Sequence, residues 1–262
     1  MIKIFLSFKS FDHFCNICLA DEALAKLGVK TGDVLIVKDK LFWQIPLLFA
    51  LFFFPLAGWF DNQVASFFAG DEGQFGDPLW CSLVYKHAPL FGQALFIVST
   101  SLVGYGLAKK RFSLWFPSLY ICLTLLLSGG VIGHLLCKRH WTRPRPYQTI
   151  QFGGKYPYSH PLCRYKGPIE KRLKSMPSSH ATWGFYFITL FFVGANLKRR
   201  PLMLAGIGLA LFLGCLLSVG RLVQGGHYLS DVVASALIMW LTAYGLDRWF
   251  ASLQKRLMPE NP

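Results

Sequence analysis

The sequence predicts an all-α fold: a six-transmembrane-helix bundle with an N-terminal interfacial segment and a basic loop on the outer face. Three observations carry this reading. Of 262 residues, 53% are hydrophobic and only 15% charged, a balance that points away from a solvated globule. Charge-free apolar stretches approaching the ~20 residues needed to cross hydrocarbon recur along the chain. The Lys and Arg residues behind the net charge of +14 sit at the edges of these stretches. They are not spread over one soluble face, which assigns them to membrane anchoring and anion binding and argues against nucleic acid as a partner.

Residues 1–40 mix short apolar runs with charges, and Asp21 to Leu27 reads as a small amphipathic helix lying in the membrane interface. This cytoplasmic or interfacial segment precedes a membrane domain over residues 41–262. Met1 to Ala20 lacks the basic n-region, long apolar core and small-residue site of a cleaved signal, so the first span is expected to direct insertion. The spans are Leu41 to Phe60, Leu90 to Ala108, Phe112 to Cys137, Ala181 to Leu197, Pro201 to Gly220 and Val232 to Leu246. Leu222 to Ser230 lengthens the short last span by extra turns at the interface.

Lys38 and Lys40, the connectors Lys109-Lys110-Arg111 and Lys198-Arg199-Arg200, and the tail residues Arg248, Lys255 and Arg256 define one basic face. The positive-inside rule makes that face, and both termini, cytoplasmic. The opposite face receives Asp61 to Pro89, with Asp61, Asp71, Glu72 and Asp77 set against Lys86 alone. The loop from Lys138 to Pro177 falls on that outer face too, yet it is rich in Lys and Arg and its one acid is Glu170. An anionic ligand gives a local reason for the exception. The seven cysteines form no readable disulfide framework, and Cys15 and Cys18 are a lone C-x-x-C pair of the kind chance produces.

Three motifs border that outer face. At the end of the third span, Lys138 is separated by six residues from Arg145-Pro146. An ammonium and a planar guanidinium together neutralise a phosphate, one as a point charge and one by a two-pronged hydrogen bond. Taken singly, such residues also serve as headgroup anchors. Before the fourth span comes Pro177-Ser178-Ser179-His180, where free backbone N–H groups at a helix start favour an anion and His180 is placed to donate a proton. The ordinary alternative is a serine cap beside an interfacial histidine. Between the fifth and sixth spans, Arg221 precedes His227 and Asp231. Four residues apart, the last two share a face if helical, so the carboxylate can fix the imidazole tautomer while the other ring nitrogen attacks phosphorus. Arg221 is placed to hold the equatorial oxygens. Spans three to six deliver all three motifs to one membrane face, and clustered charges at a membrane are costly unless they serve a site.

These residues resemble the signature of the type 2 phosphatidic acid phosphatase superfamily: K-x6-R-P, P-S-G-H and S-R-x5-H-x3-D, in that order. The resemblance runs from Lys138 to Asp231. It implies His227 as nucleophile, His180 as leaving-group acid, Asp231 as the group that orients His227, and Lys138, Arg145 and Arg221 as phosphate ligands, to which the helix start adds Ser178 and Ser179 as further phosphate-binding residues. Ser179 stands where the family usually has glycine, and Gly220 where it usually has serine. Gln151-Phe152-Gly153-Gly154 followed by Cys163 is loosely similar to lipid A phosphatases of the superfamily. The implied protein is a multi-pass enzyme of the cytoplasmic membrane that hydrolyses a lipid phosphomonoester or diphosphate on the non-cytoplasmic side. Phosphatidate, phosphatidylglycerophosphate, polyprenyl diphosphate and lipid A all remain open as substrates, and no metal or other cofactor is expected. Lipid-to-lipid phosphotransfer and non-catalytic binding of an anionic lipid are the alternatives. The oligomeric state is not fixed by the sequence.

Overall fold

The computed structural model describes residues 41–70, 73–167 and 173–257. The expected amphipathic helix, the Cys15/Cys18 pair, Asp71, Glu72 and Glu170 lie outside the described residues. By internal contacts the chain divides into Met1–Phe42 and Trp43–Pro262, and the second unit carries everything below except the first two residues of the first helix.

The helices are α1 (Leu41–Ala69), α2 (Leu79–Ala108), α3 (Phe112–His140), α4 (Ser179–Phe185), α5 (Ile188–Asn196), α6 (Arg200–Val223) and α7 (Leu229–Leu257). Among the described residues there is no strand, only two isolated bridges, Arg143 with Lys174 and Thr149 with Tyr156. Among the described residues five helices, α1, α2, α3, α6 and α7, are long and apolar enough to cross a membrane. Their outer surfaces carry exposed Leu, Phe and Trp side chains in quantity, as an integral membrane protein requires.

α1 shows the pattern most clearly. It buries Phe53, Ala57, Asp61, Ala65 and Ala69, a stripe of every fourth residue, and leaves the rest of its surface apolar and largely exposed. Interior packing leans on glycine where helices touch. A Cβ on Gly184 of α4 would lie 2.6 Å from backbone atoms of Gly214 on α6, so only hydrogen at that position permits the contact.

Two expectations are corrected. The outer loop Asp61 to Pro89 shrinks to residues 70–78, because α1 runs on to Ala69 and α2 begins at Leu79. Asp61 continues the helix instead of ending it, because Arg143 neutralises it in the interior. The stretch Ala181 to Leu197 is not one continuous helix but α4 and α5, broken at Tyr186 and Phe187. There Thr189 N–H donates to Tyr186 O at 3.1 Å and Leu190 N–H to Phe187 O at 3.0 Å, so the bonding tightens to three-residue steps. The Tyr186 hydroxyl meanwhile donates to the Ile121 carbonyl on α3, at 3.0 Å. In α3 itself, Leu126–Cys137 is π-helical, and its wide turns lead directly into Lys138.

Candidate active site

The C-terminal ends of α3 and α6 and the N-terminal ends of α4 and α7 meet at one end of the bundle, under the loop that follows α3. Lys138, at the end of α3, donates from Nζ to Ser179 Oγ on α4 at 2.5 Å. Arg221, in the last turn of α6, is buried, and its guanidinium lies over the Tyr85 ring at 4.9 Å. The His180 ring stacks on the same tyrosine at 4.2 Å between centroids. Tyr85 of α2 therefore holds the arginine of one motif beside the histidine of another.

The turn after α6 brings His227 to this cluster. Gly225 has φ of +60°, a conformation that glycine adopts without strain. A Cβ on Gly226 would fall 1.9 Å from Arg221 Nη2, so the missing side chain is what lets the guanidinium lie against this turn. Tyr147 N–H donates to Gly225 O at 3.2 Å, tying the segment that carries Arg145 to the same turn. Arg145 Nε, Arg221 Nε and His227 Nδ1 are buried and have no hydrogen-bond partner among the described residues. Unsatisfied buried donors beside one another are expensive, and an anion is the ligand that satisfies the two arginines together.

Ser178 and Ser179 are both engaged. Ser178 is fully buried and caps α4, its Oγ accepting from Ala181 N–H at 3.4 Å, while Ser179 accepts from Lys138. His227 and Asp231 do not share a helical face as expected, because His227 lies in the loop ahead of α7. Asp231 Oδ2 still reaches to 3.6 Å from His227 Nδ1, a distance for charge attraction rather than a hydrogen bond. The carboxylate is held mainly by others: it accepts from Ser175 Oγ at 2.5 Å, Tyr228 N–H at 2.9 Å and Arg143 Nη1 at 2.6 Å.

Arg143 and Asp61 are the residues that motif spacing passes over. Arg143 is fully buried. Its fork donates to Asp61 Oδ2 at 2.6 Å, Asp231 Oδ1 at 2.6 Å, Ser230 Oγ at 2.8 Å, Ser159 O at 2.8 Å and Tyr158 Oη at 3.3 Å. Every N–H of the guanidinium thus has an acceptor. Burial works against its charge, and Asp231 and Asp61 outweigh it, so its pKa is raised. The one sequence signal was the doubled Arg-Pro of Arg143-Pro144-Arg145-Pro146.

Burial pushes the His227 imidazole down to about 4, against the pull of Asp231 and with Arg221 and Arg145 acting in the same sense as burial. At neutral pH its ring is uncharged and carries a free lone pair. His180 is likewise pushed down to about 4, by burial first and then by Arg221, His227, Lys138 and Arg145. Among the described residues no three His, Cys, Asp or Glu side chains gather as a metal site. Arg143 binds both Asp61 and Asp231.

A model of the PAP2 superfamily matches residues 117–255, more than half of the chain. The chain belongs to the PAP2 superfamily. The match covers α3 through α7 almost entirely and with them all three motifs. This PAP2 chain is 26% identical over 206 residues to a protein of Francisella tularensis subsp. novicida named lipid A 4'-phosphatase, covering 77% of this chain and 87% of that one. A Rhizobium leguminosarum protein of the same name is 32% identical over 121 residues, 46% of this chain and 47% of that one. A Rhizobium etli protein, again a lipid A 4'-phosphatase by name, is 29% identical over 119 residues, 45% of this chain and 42% of that one. The matches thus span less than half the length of the two rhizobial relatives. No solved structure matches the chain significantly. Family and relatives together identify a membrane phosphatase that acts on lipid phosphate.

Proposed function

We propose that this PAP2 phosphatase hydrolyses the phosphomonoester of a lipid A-type glycolipid, at the non-cytoplasmic face of the cytoplasmic membrane, through a phosphohistidine on His227. The observation that carries the chemistry is the convergence of neutral, buried His227 with Arg221, Arg145, Lys138 and His180 at one end of the bundle. The names of the relatives favour lipid A over the other candidate lipids.

In this reading Asp231 faces Nδ1, so Nε2 attacks phosphorus in line with the scissile oxygen. The N–P bond forms as the P–O bond breaks, and the departing alkoxide takes its proton from His180. Arg221, Arg145 and Lys138 hold the three non-bridging oxygens, over which the transition-state charge spreads. Water then attacks the phosphohistidine, giving a proton to His180 and releasing inorganic phosphate. Ser178 acts by fixing the start of α4, and Ser179 by steering the Lys138 ammonium. Residues 181–196, the pair α4 and α5, make the sixth crossing, with His180 at its outer interface. The basic connectors face the cytoplasm.

The test uses detergent-purified protein and its His227→Ala and His180→Ala variants. Phosphate release is measured from lipid A, phosphatidate, phosphatidylglycerophosphate and polyprenyl diphosphate, with EDTA present. His227→Ala is expected to lose activity by several orders of magnitude. His180→Ala is expected to lose most of its activity, because both formation and hydrolysis of the phosphohistidine pass a proton through His180, and to keep more activity on a substrate whose leaving group needs no proton, such as p-nitrophenyl phosphate. Undiminished release by His227→Ala would sink the mechanism, and release from the other lipids but not from lipid A would sink the substrate.

A further inference from the structure

The phosphate cradle opens onto a second compartment that the proposed hydrolysis does not use. Between the segment before α2, the start of α2 and the turn after α6 lies a cavity of about 520 Å³, with Arg221 on one wall. A chain of hydrogen bonds leads outward from that arginine: Arg221 Nη1 donates to Gln224 Oε1 at 2.5 Å, and Gln224 Nε2 donates to Asp77 Oδ1 at 2.7 Å. Ser82 Oγ donates to Asp77 Oδ2 at 2.9 Å. Asp77 is exposed, and these hydrogen bonds from Gln224 and Ser82 keep its pKa low, so it remains ionised. Among the described residues each carboxylate oxygen accepts one hydrogen bond, which leaves each a second lone pair for a ligand.

An ionised carboxylate is a poor neighbour for a phosphate site. It weakens the attraction that draws an anion in, and it repels any second negative charge on the same ligand. Its presence is rational if the rest of the ligand there is neutral and rich in hydrogen-bond donors. The other walls agree with that chemistry. Tyr147, 46% exposed, and Phe75 offer aromatic surface, and among the described residues of the lining Lys86 is the one cation besides Arg221. A pyranose ring presents apolar C–H faces and polar hydroxyl or amide edges, which is the complement of aromatic walls flanking an acid and an amide.

We propose that this compartment is a sugar subsite: it holds the pyranose that bears the scissile phosphate, with Asp77 and Gln224 accepting from or donating to its polar edge and Tyr147 against its apolar face. Asp77 at the same time selects against headgroups that bring a second phosphate. The inference rests on the glycolipid reading above and deepens it, because it explains how one lipid phosphate is preferred over another.

The test compares kcat/KM for a 4'-phosphorylated lipid A-type glycolipid with that for phosphatidylglycerophosphate, in wild type, Asp77→Asn and Tyr147→Ala, using the full-length protein in detergent. Asp77→Asn is the deciding variant. It is expected to lower the ratio of the two values at least tenfold, with the phosphatidylglycerophosphate value rising in absolute terms. That rise also shows that the variant is folded. Tyr147→Ala is expected to lower the ratio through loss on the glycolipid. An unchanged ratio in Asp77→Asn overturns the subsite, as does an equal loss on both substrates, which would make Asp77 only a support for Arg221. Wild type that ignores the glycolipid but cleaves phosphatidylglycerophosphate overturns the glycolipid reading itself, whereas wild type that cleaves it with unaltered ratios in both variants overturns the subsite alone.

Discussion

Two histidines with depressed pKa values are asked to do opposite things in the proposed reaction. His227 must be neutral to attack, and burial, with its pKa at about 4, leaves it neutral across the physiological range. His180 must carry a proton to the leaving oxygen, yet burial and the cations Arg221, Lys138 and Arg145 bring it to about 4 as well. Substrate resolves the conflict. A phosphate dianion placed among those cations offsets them and favours the charged imidazolium, which raises the pKa of His180 in the complex. Activity through His227 is lost as pH falls through about 4, where it becomes protonated. Activity through His180 is lost as pH rises through its own pKa, which is higher with substrate bound than without. The basic limb of kcat should therefore lie at higher pH than that of kcat/KM, once the second ionisation of the substrate phosphate, about pH 6, is allowed for. Coincident basic limbs in the two profiles would count against His180 as the acid. His227, His180, Arg221, Lys138 and Arg145 were legible in the sequence because their spacings are local. Asp61 was not: its contact with Arg143 bridges 82 residues and exists only once α1 packs against the loop after α3.

The elements around the site are held by that same contact. Arg143 ties the loop after α3 to α1 through Asp61 and to α7 through Asp231 and Ser230. Asp61 binds α7 directly as well, accepting from the backbone N–H of Ser230 at 2.8 Å and from its hydroxyl at 2.7 Å. Arg143→Met would leave two buried carboxylates without their counter-charge, a loss of about 3–5 kcal/mol for a broken buried pair. A large drop in the melting temperature in detergent is expected, with Asp61→Asn milder because Arg143 then keeps Asp231. Melting of Arg143→Met at the wild-type temperature would show that the network is not what fastens the loop. The apolar runs announced α1, α2, α3, α6 and α7, since a bilayer demands both length and lack of charge. They did not announce the break between α4 and α5. Nothing in the local sequence marks it, because the Tyr186 side chain there is committed to the Ile121 carbonyl of another helix.

At the scale of the whole molecule, charge is distributed by two rules at once. One end of the bundle carries the tight connectors Lys109-Lys110-Arg111 and Lys198-Arg199-Arg200, where Lys110 and Lys198 take positive φ values of 52° and 54° to turn the chain. The other end carries Lys138, Arg143, Arg145 and Arg221. By charge alone the two ends compete for the cytoplasmic side. They differ in where the charge goes. Arg143 and Arg221 are buried, one neutralised by two aspartates and the other aimed into the site, so they contribute little to the field that fixes orientation. The residues around Lys110 and Lys198 are exposed and retain the full effect. Arg139, Lys155, Arg164 and Lys166 nevertheless stay exposed at the site end, so charge alone does not decide, and the expected non-cytoplasmic position of the site is read by labelling. Cys163 supplies a native reporter, because it is exposed in the loop after α3. In right-side-out membrane vesicles a membrane-impermeant maleimide should label wild type without permeabilisation, and Cys163→Ser should lose that label. A cysteine introduced as Lys198→Cys in the Cys163→Ser background should react only after the membrane is opened. The reverse pattern would put the phosphate site in the cytoplasm and would require its substrate to be presented on the inner leaflet.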